Sequence, residues 1–109
     1  MMKTILAAAG LGASLLFAAP VLAGEAVCYN STEGEYNCWF EPDGGGSFTI
    51  SADGYTTYYV SISEPGVAFV NATFPGGDRG VMLPGPYYRE SEDPACWRNP
   101  DTSDEICAW

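Results

Sequence analysis

The sequence predicts an all-β fold, a small antiparallel barrel or roll of about seven short strands stapled by two disulfides. Three observations carry that expectation. Apolar residues between positions 47 and 74 alternate with polar ones at the strand period, turn-forming clusters interrupt them at short intervals, and the four cysteines sit towards the two ends of the domain. So few residues could hardly furnish two full sheets, which favours a closed or rolled sheet over a sandwich.

The chain begins with what reads as a cleavable export signal, residues 1–23. Lys3 supplies the positive start, an uncharged apolar run covers residues 5–19, and small residues precede a cut after Ala23. The run of about 15 residues falls short of the roughly 20 that a helix needs to cross a bilayer, so no stable membrane anchor is expected. Glu25 stands where a lipid-attachment box ahead of Cys28 wants leucine, which argues against a lipoprotein. Residues 24–109 then form one disulfide-stapled β domain. A domain that short buries too little apolar surface to be secure on packing alone, a deficit that staples offset. Export to the periplasm or the extracellular medium supplies the oxidising space in which disulfides persist.

The elements follow in order. With residues 31–35 as a turn, Cys28 falls opposite Cys38 on a first hairpin. Residues 47–51 (SFTIS) alternate, and Asp53-Gly54 is a two-residue turn signal leading into residues 55–63. That turn places Phe48 opposite Tyr59. Glu64-Pro65-Gly66 makes the next turn, setting Val60 across from Val70, Ile62 across from Ala68 and Tyr58 across from Ala72 on one apolar face. Tyr59, Ser61, Phe69 and Asn71 take the other face. Their mixture suits a half-exposed surface or a second packed one, and a Phe48–Tyr59 pair favours the second. Residues 75–80 form a loop, 81–83 a short strand, 84–86 a rigid bend and 87–89 another strand before the acidic stretch 90–93. A turn at residues 99–104 closes the last hairpin, with Arg98 opposite Glu105, Trp97 opposite Ile106 and Cys96 opposite Cys107. No segment reads as a convincing helix.

Four cysteines allow three pairings. Direct opposition on the two hairpins favours Cys28 with Cys38 and Cys96 with Cys107. Pairings that join the two ends would close longer loops, and chain entropy would give them about 4 rather than under 3 kcal/mol per bond. A thiolate metal site is disfavoured by the lack of any CxxC and of any histidine.

The spacing C-W-x-x-P-D occurs at Cys38 and again at Cys96. Each occurrence reads as a strand end with the tryptophan covering a cystine. Alternatively Trp39, Trp97 and Trp109 gather into a recognition platform, a use for which tryptophan is enriched. Asp78 and Arg79, in the Gly-rich 76–80 loop, are the other candidate partner-binding residues.

Charge excludes more than it assigns. The leader holds the only lysine, leaving three arginines against 14 acidic residues in the domain, a net charge of −11. Nucleic acid, which needs a basic footprint, is excluded as a partner, and anionic lipid surfaces are disfavoured. A basic protein, a cationic peptide or a divalent metal suits such a field. Calcium is the specific metal candidate, because Asn99, Asp101, Ser103 and Glu105 place oxygens at alternate positions. The loop lacks the length and the glycine of an EF-hand. Without histidine, and without lysine in the domain, no Ser-His, Cys-His or Ser-Lys dyad exists. Only a carboxylate pair could hydrolyse, as in glycosidases, and so small a domain has little room for a substrate cleft, so no enzyme is expected. The triplets at Asn30 and Asn71 would matter only in a glycosylating host, and the Ala-rich leader is bacterial in character.

The general plan, a short exported acidic β domain with cysteines near both ends, is similar to that of periplasmic lysozyme inhibitors. The likeness implies a basic protein partner and carries over no residue. The expected function is a small exported acidic binding protein that inhibits or adapts a basic partner. A calcium-stabilised structural or adhesive module and a carboxylate hydrolase are the alternatives.

Overall fold

The computed structural model describes residues 22–109, so the expected leader, residues 1–23, lies outside the described residues except for Leu22 and Ala23. Nine strands follow: β1 (Gly24–Asn30), β2 (Gly34–Gly44), β3 (Ser47–Ser51), β4 (Thr57–Glu64), β5 (Val67–Thr73), β6 (Val81–Met82), β7 (Tyr87–Arg89), β8 (Cys96–Arg98) and β9 (Glu105–Ala108). Each pairs antiparallel with its neighbours. β1 to β5 form a meander, β5 pairs with β7, and β8 and β9 return the chain to β1, closing an eight-stranded up-and-down barrel. β6 is the ninth strand. It takes the Asn71–Ala72 part of the edge of β5, while β7 takes the part at Val67 and Ala68.

Alternation fills the interior. Ile50, Val60, Val70, Ala72, Trp97 and Ile106 all point inward and are buried, while Glu41, Thr49, Ser51 and Asn71 occupy outward positions between them. The inner face is largely apolar, and the outer face mixes polar side chains with exposed aromatics such as Trp39, Tyr59 and Phe69. Among the described residues no helix is long and apolar enough to cross a membrane.

Both expected disulfides form: Cys28 with Cys38, and Cys96 with Cys107. Their settings differ. The last hairpin has the expected register, Cys107 facing Cys96 and Ile106 facing Trp97. On the first hairpin Cys28 faces Tyr36, and Cys38 faces Ala26, so the cystine runs diagonally along the inner wall with its Cα atoms 5.9 Å apart. The turn is shorter than the sequence suggests. Asn30 Oδ1 accepts from the backbone N–H groups of Thr32 (3.0 Å) and Glu33 (2.7 Å), and Gly34 takes φ 80°, closing it within three residues. The register therefore moves by two, which keeps both cysteines on the inner face.

The β3–β4 hairpin moves by one, which has a larger effect. Phe48 faces Val60, and Thr49 faces Tyr59. β3 ends at Ser51 and β4 begins only at Thr57, so the turn at Asp53-Gly54, where Tyr55 N–H donates to Ala52 O (3.1 Å), sits inside a longer connection. One residue of slip turns Phe48 inward with Val60 and leaves Tyr59 outside. The β4–β5 hairpin matches the expected pairs Tyr58–Ala72, Val60–Val70 and Ile62–Ala68. Its other face, with Tyr59 and Phe69 well exposed, is the half-exposed surface rather than a second core.

Candidate functional site

Trp97 and Ile106 take the inward positions of β8 and β9, so Cys96 and Cys107 must point out of the barrel. An outward cystine has no core to cover it, and the β7–β8 loop supplies the cover. Glu90 N–H donates to Cys96 O (2.9 Å), and Cys96 N–H donates to Asp93 O (2.9 Å). The Asp93 carboxylate accepts from Ala95 N–H (3.1 Å) and from Trp109 Nε1 (2.9 Å), which ties the loop to the indole beyond β9. Between loop and wall lies a cleft of about 300 Å³ with the cystine at its base, lined by Tyr29, Glu90, Glu92, Asp93, Glu105 and Trp109. Tyr29 comes from β1, which pairs with β9 so that Tyr29 faces Cys107.

Four carboxylates share this cleft with one guanidinium. Arg98 Nε lies 3.4 Å from Glu90 Oε2, and Arg98 Nη2 lies 3.6 Å from Glu105 Oε1. Glu90 nevertheless holds its proton more tightly than an ordinary glutamate. A hydrogen bond shared with Glu105 is the largest cause, burial and the Glu105 charge add to it, and Arg98 opposes without cancelling it. The cleft keeps an excess of negative charge that its own arginine does not neutralise.

The sequence candidates do not assemble into one site. Trp97 is 2% exposed and belongs to the core, where the Arg89 guanidinium lies 4.7 Å from its ring centroid. It is an interior residue and not the surface candidate that the sequence offered, because its strand phase is opposite to that of Trp39. Trp109, 52% exposed, walls the acidic cleft, and Trp39, 46% exposed, stands on the outer face of β2. Asp78 and Arg79 are exposed in the loop between β5 and β6. The calcium candidates also separate. Asn99 is buried, and its Oδ1 accepts from the N–H groups of Asp101 (2.8 Å) and Thr102 (3.2 Å) while its Nδ2 donates to Pro84 O (2.7 Å). Its oxygen is taken up by the turn. Asp101 and Ser103 are exposed on that turn, while Glu105 lies with Arg98 in the cleft wall. Cys96, Cys107 and Glu105 bring their ligand atoms within 4.8 Å of one another, but the two sulfurs are bonded together.

No signal in the sequence announced a half-buried polar cluster where the β1–β2 turn meets Thr56. The Glu33 carboxylate accepts from Asn30 Nδ2 (3.0 Å), Thr56 N–H (3.2 Å) and Thr56 Oγ1 (3.1 Å). The ring of Tyr55 stacks on Tyr36 at 4.2 Å. Burial raises the Tyr36, Tyr58 and Tyr87 phenols, Tyr87 to about 12; the Glu33 charge adds to the first two and Asp104 to the third, while Asn30 partly offsets the rise at Tyr36. Tyr58 was legible from its alternation with Val60 and its pairing with Ala72, whereas nothing local announced the pairing of Tyr87 with Ala68.

Fold and cleft together define a disulfide-stapled up-and-down β-barrel with a filled interior and an acidic, aromatic cleft on its outer wall. No family model matches the chain, and no curated protein or solved structure matches it either.

Proposed function

We propose that the protein is an exported, non-enzymatic binding protein that docks a basic partner, a cationic segment of a protein or peptide, in the cleft over Cys96 and Cys107. The observation that carries this reading is the convergence of four carboxylates and two aromatic walls on a cleft with one arginine. A lysine or arginine side chain entering there relieves the Glu90–Glu105 repulsion and meets the faces of Tyr29 and Trp109. The domain's net charge of −11 extends the attraction beyond contact distance and speeds encounter. The export signal and the two disulfides support a periplasmic or extracellular site of action.

Catalysis by the closest acid pair has little geometric support. Glu90 and Glu105 both pair with the Arg98 guanidinium, at 3.4 and 3.6 Å, whereas glycosidase carboxyls flank a scissile bond from about 5–9.5 Å apart.

A fluorescent octalysine peptide tests the proposal. Its affinity for the full domain should fall steeply between about 20 mM and 300 mM salt, as unscreened attraction requires. Glu92→Lys and Trp109→Ala should each weaken it about tenfold or more, as loss of a central contact does. Salt-independent binding, or unchanged affinity in both variants, would sink the proposal.

A further inference from the structure

The outer wall carries a second concavity whose chemistry differs from that of the acidic cleft. A groove of about 680 Å³ runs over β1, β2 and β3 and the start of β4, with Glu25, Asn37, Trp39, Ser51, Asp53 and Thr57 along it. Register explains the grouping. Glu25 faces Trp39 and Trp39 faces Ser51, so the three make one outward row across three strands. One row further along, Glu41 faces Thr49 and Thr49 faces Tyr59, which is a second exposed aromatic. Trp39 Nε1 donates to Glu41 Oε1 (2.9 Å), which fixes the half-exposed indole and satisfies its only polar atom. The ring is thereby left as an apolar platform.

We propose that this groove binds a neutral saccharide chain. The acidic cleft offers carboxylates almost alone, which accept hydrogen bonds and attract cations. This groove adds an amide from Asn37 and hydroxyls from Ser51 and Thr57, which donate as well as accept. A sugar ring needs that mixture, since each hydroxyl is both donor and acceptor while the C–H face of the ring is apolar and packs flat on an indole. Glu25, Asn37, Trp39 and Asp53 are all exposed, so the groove is open and admits a chain along the wall rather than a buried end group. Glu25 and Asp53 repel uronate or sulfated saccharides, which restricts the ligand to uncharged sugars.

Calorimetric titration of the full domain with cellohexaose, xylohexaose, maltohexaose and hexagalacturonate tests this independently of the basic-partner cleft. At least one neutral hexasaccharide should bind saturably at or below about 10 mM, with hexagalacturonate at least tenfold weaker. Trp39→Ala should weaken the neutral ligand at least tenfold, Asn37→Ala by about threefold to tenfold, and Trp109→Ala not at all. Asn37 is exposed and decides the matter should Trp39→Ala fail to fold. Absence of binding by all three neutral sugars, equal binding of hexagalacturonate, or equal loss in Trp109→Ala overturns the proposal. So does octalysine binding that depends on Trp39 in the absence of sugar binding.

Discussion

Trp39 and Trp97 sit at the same place in the same short motif and do opposite things. Cys38 points into the barrel and Trp39 out of it, whereas Cys96 points out and Trp97 in, because the two strands enter the wall one residue out of phase. Replacing Trp97 by alanine should therefore cost about 3–5 kcal/mol of stability in urea unfolding, the range for emptying a buried aromatic site. Replacing Trp39 should cost under about 1 kcal/mol, as for exposed positions. Comparable costs would contradict the opposite phases. The buried phenols give a second residue-scale expectation. Tyr36, Tyr58 and Tyr87 have folded-state pKa values above the unfolded value of 10.0, so they are neutral in the fold when the unfolded chain ionises. Their contribution is fully present below pH 10 and is lost as pH rises through the folded values, where the unfolded state releases protons first. An absorbance titration at alkaline pH should show these three of the seven tyrosines ionising late, together with unfolding. Reversible ionisation of Tyr36, Tyr58 and Tyr87 near pH 10 in the folded protein would show that they are solvated.

The two cystines join neighbouring strands over similar short loops, with sequence separations of 10 and 11. Chain entropy gives each a little under about 3 kcal/mol, so the double alanine variants at Cys28/Cys38 and at Cys96/Cys107 should lose similar amounts in denaturant. Their effects on binding should differ. The inner cystine packs against the core, while the outer one forms the base of the acidic cleft, so only the Cys96/Cys107 variant should weaken octalysine binding. An equal loss in the Cys28/Cys38 variant would mean that the cleft depends on global rigidity. The elements also show what a sequence can carry. The pairing of Val60 with Val70 and of Cys96 with Cys107 was legible because apolar alternation and turn chemistry agree there. The first two hairpins were misread by two residues and by one, because Asn30 closes its turn more tightly than the residue count suggests and Asp53-Gly54 sits within a longer connection. The acids of the cleft were legible as a cluster next to Cys96. Its Tyr29 wall was not, since barrel closure through β9 and β1 joins the two ends of the domain and leaves no local signature.

Across the whole molecule, one excess of negative charge governs both stability and association, with opposite signs. With 14 acidic residues and three arginines the folded domain repels itself, and contraction into a closed barrel brings those charges closer than in the unfolded chain. Glu90 shows the same strain locally. Its folded-state pKa lies above the ordinary value of 4.5, so its contribution is fully present below that pH and is lost as pH rises through the folded value. Glu90→Gln keeps the hydrogen-bonding shape and removes the charge that faces Glu105, so it should raise the melting temperature at pH 7 by about 1–3 °C. At pH 3, where Glu90 is already protonated, the variant should melt with the parent. Salt should act on the molecule as the substitution acts on the cleft. Raising it from about 20 to 300 mM shortens the Debye length from roughly 20 Å to under 10 Å, which screens repulsion across the barrel and attraction to a basic partner alike. The melting temperature should therefore climb over the same range in which octalysine affinity falls. A domain stabilised by salt whose peptide binding ignored salt would have a cleft that recognises shape instead of charge. One whose binding weakened while its melting temperature stayed fixed would carry its charge too far apart to repel, with the attraction confined to the cleft.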